Sequence, residues 1–364
     1  MSPANSDVQF HVVPVHSLST IETLWQALEG RHCSSFFVSW TWIGTWLRQL
    51  PKWIHPLLLQ VNRGGHPIAA AILIRRRAKR MGFFGVRQLH FNATGESAYD
   101  CVTTEHNDFV GKVDATVWSD LLAWFARGEA EADELFLPGI CRPARDFVTA
   151  ECRLLDKKRE MPGFACELSR TPLLHSLSSN SRQQLRRSIR ACEGLGMLRI
   201  EAARSTDQAL FWFGELKMLH VRHWTNQRKS HAFENAFFEY FHVALIEAGI
   251  ATGRVNVRKI SAGLQVLGYL YDFMSDGRIS AYQSGFNDDW RKLRPGYVAH
   301  ALAMEQVAAA GCHEYDFLAG DNRLKRSFAS RTYELGWHCF RRPSALVWLE
   351  SAAIRAIRQR QGEP

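Results

Sequence analysis

The chain has 364 residues, 46% hydrophobic and 12% aromatic, enough to bury a core without staples and long enough for two domains or one large α/β domain. Its 45 Lys and Arg against 36 Asp and Glu leave a formal charge of +9, which favours an anionic partner such as a phosphorylated cofactor, nucleic acid or acidic membrane surface without choosing among them. Eight scattered Cys with no CxxC pair and no His at zinc spacing argue against a metal site or a disulfide framework; no apolar run reaches the roughly 18 residues of a spanning helix, and the first residues lack the pattern of a signal peptide, so a cytoplasmic protein is expected.

Residues 8–15 predict a strand, and Ser19 or Thr20 caps a helix containing Ile21, Leu24, Trp25 and Leu28. Residues 36–50 read as a second helix whose Trp40, Trp42 and Trp46 belong to a core more readily than to a pocket, because indoles bury so much area. Two apolar runs, 56–61 and 67–75, flank Asn62-Arg63-Gly64-Gly65, a hairpin signal, and the basic run 75–80 reads as a solvated strand end. A strand at 82–91, a helix at 115–126 and a short strand at 134–137 complete the first half.

The second half repeats this order. A strand at 162–167 leads to an Arg-rich helix, 181–193, with Arg182, Arg186 and Arg190 on one face, suited to phosphates or simply to water. A strand (198–203) and two helices (206–224, 235–248) follow, the segment 223–231 between them reading as a polar loop, either substrate-side or a plain connection. Strands 254–260, 265–274 and 279–286 form a meander with Asp276-Gly277 as a tight turn. Alternation places Ser280, Tyr282, Ser284 and Phe286 on one face and Ile279, Ala281, Gln283 and Gly285 on the other.

Next come a basic loop (287–294), a helix opened by Pro295 (295–310), a parallel strand (313–318) and a loop with Asp321 and Lys325: a βαβ unit. The loop brings Arg291, Lys292 and Arg294 to the positive end of the helix dipole, a combination that suits a pyrophosphate, though a solvated helix start fits the same residues. His300 reads as a packed histidine. A closing strand (334–341) and an amphipathic basic helix (345–360), docked on the domain or lying on a membrane surface, end the chain. With no Ser–His–Asp or Cys–His order, no GxGxxG after a strand and no P-loop, direct transfer without a covalent intermediate is the preferred chemistry.

The segments AYQSGFNDDWRKLRPG (281–296) and YDFLAGDNRLKRSF (315–328), with SSNSRQQLRRSIRACEGLG (178–196) and FFVSWTWIGTWL (36–47) upstream, resemble the CelD-like acetyltransferases of the GCN5-related N-acetyltransferase (GNAT) superfamily, related to the FemAB-like transferases. The resemblance implies a mixed-sheet α/β (α+β) fold of tandem acyl-CoA N-acyltransferase domains: a degenerate GNAT-like domain over 1–160, the acyltransferase domain over 161–345 and a basic helix over 346–364. It implies acetyl-CoA as co-substrate and no metal. The pyrophosphate would lie on Arg291, Lys292, Arg294 and Gly296, and the thioester against Gln283, Ser284 and Gly285. Tyr282 would protonate the leaving thiolate, with simple packing the other reading. Asp316 and Asp321 are the candidate bases, Asp316 equally a structural acceptor; Lys325 would hold a phosphate or an acceptor carboxylate, or pair with Asp321.

The function so implied is acetyl transfer to an amine on a sugar, amino acid or small metabolite, in exopolysaccharide production. A FemAB-like transferase using charged tRNA is the first alternative, and in it alone a nucleic acid is a partner. The second is a non-catalytic GNAT-fold binding module, suggested by Leu324 where an aromatic residue is expected before the Lys of the last motif.

Overall fold

Two meanders, one from each half of the chain, supply most of a single mixed sheet in the computed structural model, which describes residues 7–80, 84–102, 104–141, 155–168 and 177–342. The first half runs β1 (Val8–Pro14), α1 (Leu18–Glu29), α2 (Trp40–Gln49), β2 (Pro56–Arg63), β3 (His66–Arg80), β4 (Phe84–Phe91), β5 (Val110–Gly111), α3 (Ala115–Ala126) and β6 (Glu134–Ile140). The long β7 (Leu155–Glu167) and α4 (Ser179–Glu193) lead into the second: β8 (Leu198–Ala202), α5 (Thr206–Asn226), α6 (Ala236–Gly249), β9 (Val255–Ala262), β10 (Gln265–Ser275), β11 (Arg278–Phe286), α7 (Pro295–Ala309), β12 (Glu314–Ala319), α8 (Arg323–Phe328) and β13 (Arg331–Arg341).

The strands lie in the order β1-β2-β3-β4-β6-β13-β7-β12-β11-β10-β9-β8, with β5 pairing β3. Each half holds an antiparallel meander followed, across a helix, by a parallel pair: β4 with β6 around α3, and β11 with β12 around α7. The last strand among the described residues, β13, is antiparallel to both β6 and β7, so it closes the seam between halves.

The Trp cluster is core, as its size suggests: Trp42 packs edge-on against Phe241 of α6 at 4.8 Å, and Phe36 stacks on Phe273 of β10 at 4.5 Å. This apolar cluster is therefore shared by both halves, a second lies under α3, and a third lies under α4 and α7.

The basic run 75–80 is the end of β3, as expected, with Arg75, Arg77 and Lys79 exposed and Arg76 paired to Glu96 at 2.6 Å. Several other expectations change. Helix α5 extends to Asn226, so His223 is helical rather than in a loop, where it reaches Asp288 at 2.9 Å. The expected loop 287–294 is largely a 3-10 turn, Asp288–Leu293, and Lys325 sits on the short helix α8. The basic helix expected at 346–364 lies outside the described residues. Among the described residues, no helix is long and apolar enough to cross a membrane.

Candidate active site

Strand β11 carries one residue too many for its neighbour. Gln283 pairs with Tyr271 and Ala281 with Asp272, so Tyr282 is the extra residue of a β-bulge. On the other edge, β11 pairs with β12 only at Arg278, Ile279 and Ser280, after which the two strands part. Beyond the parting, the Ser284 N–H donates to Gln283 Oε1 at 3.0 Å and the Ser284 carbonyl accepts from His220 Nδ1 at 3.1 Å. Side chains thus satisfy backbone groups that a continued ladder would have used.

The bulge overturns the expected alternation. Tyr282 packs with Phe37, Phe238 and Phe273 in the shared core, whereas Phe286 faces α7, its ring against Gly296 and His300. One inserted residue reverses the face of every residue that follows. Gly285 then sits under α5 so tightly that a Cβ would lie 2.3 Å from the Leu216 carbonyl oxygen.

A cleft of about 530 Å³ opens at the parting. Its floor is Gln283, Ser284, Gly285 and Phe286, and its walls include Arg291, Arg294 and Gly296. Arg294 is the N-cap of α7, held left-handed at φ 57° with no side-chain cap, and Pro295 follows it. Pro295 has no N–H, and the Tyr297 and Val298 N–H groups turn back to the Arg294 carbonyl at 3.0 and 3.4 Å, so in this first turn it is the Gly296 N–H, on the cleft wall, that is left at the positive end of the helix dipole. The Tyr297 hydroxyl, on the same wall, is buried without a hydrogen-bond partner. The 3-10 turn is pinned to α5 by His223–Asp288 and by Arg222–Asp289 at 3.1 Å. Lys292 is exposed and outside the cleft lining.

A second cavity, about 360 Å³, shares Gln283, Ser284, Phe286 and Leu324 with the cleft. Tyr282 and Lys325 line it, and so does Glu105 from the first half. Tyr282 donates its hydroxyl to the Val102 carbonyl at 2.7 Å, and burial pushes its pKa well up. Lys325 Nζ donates to the carbonyls of Leu318 at 3.2 Å and Ala319 at 2.5 Å; burial pulls its pKa down. Glu105 is buried, its Oε2 accepting from the Ala319 N–H at 2.6 Å, and burial pushes its carboxyl up to about 7. His300 is packed as expected, bonded through Nδ1 to the Tyr315 hydroxyl at 2.9 Å.

The two candidate bases are not brought to either cavity. Asp316 is fully buried between strands: Oδ1 accepts from the Tyr333 hydroxyl at 2.6 Å and the Leu318 N–H at 2.8 Å, and Oδ2 lies 2.7 Å from His106 Nε2. Burial opposes both charges of this pair, but their hydrogen bond and attraction outweigh it, so His106 goes up and Asp316 down. Asp321 is exposed and pairs with Arg326, not Lys325. Sequence reasoning passed over Glu105, because an isolated Glu in a connecting segment carries no local signal.

A meander whose last strand bulges and parts from its parallel neighbour, with a helix N-terminus facing the parting, defines the acyl-CoA N-acyltransferase (GNAT) fold. Residues 179–326 match the family model described as an acetyltransferase (GNAT) domain.

Among solved structures, FemX is similar over 88% of this chain and 95% of its own, at TM-score 0.53 and 10% identity. The C-terminal domain of a candidate lysylphosphatidylglycerol synthetase from Agrobacterium fabrum is similar over 94% and 97%, at TM-score 0.52 and 10% identity. At such identities the likeness is one of fold, and it extends through both halves of the chain. A stretch of 96 residues is 32% identical to the transcription antitermination protein NusB of Marinobacter nauticus, covering 26% of this chain; the chain spans 58% of that relative's length.

Proposed function

We propose that the protein is an acyl-CoA-dependent N-acyltransferase of the CelD-like type, acting in the cytoplasm and transferring acetyl from acetyl-CoA to an amine on a sugar, amino acid or small metabolite, in exopolysaccharide production. The observation that carries this reading is the parting of β11 from β12 directly beside the uncapped start of α7. The Gly296 N–H at the helix start, with Arg291 and Arg294, suits a pyrophosphate. Gly296 lets Phe286 close against the helix there. The buried, unpartnered Tyr297 hydroxyl is a further donor for a bound phosphate.

Gln283 Oε1 already occupies the Ser284 N–H, standing where a thioester oxygen would accept. Displacing that amide gives Ser284 to the oxyanion that develops during attack, and a preorganised donor of this kind is worth about 10²-fold in rate or more. Tyr282 would have to release the Val102 carbonyl to protonate the departing thiolate.

Calorimetric titration with acetyl-CoA, on the wild type and on Arg291→Ala/Lys292→Ala/Arg294→Ala, tests the donor site. An unchanged affinity in the triple variant would overturn it. Free-thiol release with a panel of amines then separates an enzyme from a binding module. A second reading, transfer from aminoacyl-tRNA, draws on the exposed Arg186, Arg187 and Arg190 of α4, the helix that also gives Gln184 to the cleft wall. Arg182 is drawn out of that set, bonded to the Leu177 carbonyl at 3.1 Å. Binding of tRNA and not acetyl-CoA at physiological salt would favour this second reading.

A further inference from the structure

Glu105 and Lys325 come from opposite halves of the chain and line the same 360 Å³ cavity, yet no ion pair joins them among the described residues. Each is fastened from behind. Glu105 Oε2 accepts from the Ala319 N–H at 2.6 Å, and two of the three N–H groups of Lys325 go to the carbonyls of Leu318 and Ala319. Opposite charges shielded from water and left apart are costly unless something carrying both charges lies between them. The rest of the cavity wall is mixed: Ala232, Phe238, Phe317 and Leu318 supply an apolar patch, and Gln283, Ser284, His300 and Asn322 supply polar groups beside it.

We propose that this cavity takes a zwitterionic acceptor, an α-amino acid with an apolar side chain, its ammonium facing Glu105 and its carboxylate facing Lys325, with Glu105 as the base that frees the amine. The proposal rests on the acyl-transfer reading above and names the acceptor for that site. In the step, the Glu105 carboxylate takes one proton from the ammonium, and the freed nitrogen pair attacks the thioester carbonyl carbon. The N–C bond forms, the C–S bond breaks, and the second N–H proton goes to the departing thiolate. Glu105 returns its proton to solvent. It also borders a third cavity, about 420 Å³, with the exposed Arg159 among its lining residues, an outlet that avoids the donor cleft.

The groups facing Glu105 are the Ala319 N–H and the charges of Lys325, His106 and Asp316; burial, joined by the like charge of Asp316, outweighs the Ala319 N–H, Lys325 and His106 and pushes the carboxyl up to about 7. A base poised there suits proton removal at neutral pH.

The test compares acetyl transfer from acetyl-CoA to L-leucine, to isoamylamine, which is leucine without its carboxylate, and to D-glucosamine. The expected result is a leucine KM at least about 10-fold below that of isoamylamine, with glucosamine the poorest. Lys325→Met should raise the leucine KM about 10-fold more than the isoamylamine KM, and Lys325→Arg should keep most of the preference. Glu105→Gln should lower kcat for both aliphatic amines by about 10²-fold and remove the rise in rate through pH 7, with acetyl-CoA affinity unchanged by calorimetry. Preference for glucosamine over leucine, equal KM values for leucine and isoamylamine, or a pH break that survives in Glu105→Gln would each overturn the proposal. Loss of acetyl-CoA binding or of all thiol release would instead sink the acyl-transfer reading; leucine binding against isoamylamine binding, measured without donor, would still decide the acceptor site.

Discussion

Tyr282 and Phe286 both belong to β11 at even positions, yet they point to opposite faces of the sheet, Tyr282 into the aromatic core shared by the halves and Phe286 onto α7. The bulge at Tyr282 is what separates them. It turns Ser284 and Phe286 toward the donor cleft while Tyr282 anchors the strand to the first half through Val102.

Gly285→Ala tests that arrangement. The new Cβ would meet backbone, the Leu216 carbonyl oxygen at 2.3 Å, so α5 must move away from the strand. A loss of about 1–3 kcal/mol in a denaturant melt is expected, together with weaker acetyl-CoA binding. Stability and affinity both equal to wild type would show that the helix does not need this close approach.

Arg294 gives two effects of opposite sign. It holds a left-handed φ of 57° at the start of α7, a conformation that glycine adopts at lower cost. Arg294→Gly is expected to raise stability by up to about 1 kcal/mol while weakening acetyl-CoA binding several-fold, read by thermal melt and calorimetry on the same sample. A variant that gains stability and keeps its affinity would remove Arg294 from the donor site.

Glu105 makes stability depend on pH. Its folded pKa, about 7, lies above the ordinary 4.5, so folding favours the protonated form; this contribution is complete below about pH 4.5 and is lost as pH rises through 7. Glu105→Gln, which cannot ionise, should therefore gain on the wild type between pH 5 and pH 8, by something on the order of 3 kcal/mol at the upper end. A stability difference flat across that range would mean the carboxyl titrates normally.

The His106–Asp316 pair predicts the opposite dependence in acid. Asp316 is held below its ordinary 3.8, so the stability it contributes is present above that value and is lost as pH falls through its lower folded pKa. Asp316→Asn leaves His106 and the Tyr333 hydroxyl without the carboxylate both of them face, at a cost of roughly 3–5 kcal/mol near neutral pH. The gap should narrow in acid, as followed by urea melts at several pH values. A full-sized gap at pH 2 would point to packing instead of charge.

Much of the framework was legible in the residues. The helix at 115–126, the Asp276-Gly277 turn and the strand-helix-strand run from 279 to 318 follow from apolar periodicity, turn chemistry and Pro295, all of which act within a few residues. The basic start of α7 was legible for the same reason, and Arg291, Arg294 and Gly296 do meet at the cleft. Three decisions belonged to the tertiary structure. The extra residue at Tyr282 depends on how β10 and β11 pair, and strict alternation gives no sign of it. Asp316 and Asp321 share a motif, but a partner 210 positions away, His106, claims the first and Arg326 the second. Glu105 reaches the second cavity only because β13 joins β6 to β7 and brings the halves edge to edge. Sequence fixes what neighbours along the chain can do; which charges face one another across the seam is set by pairings between distant strands, and local pattern does not carry that information.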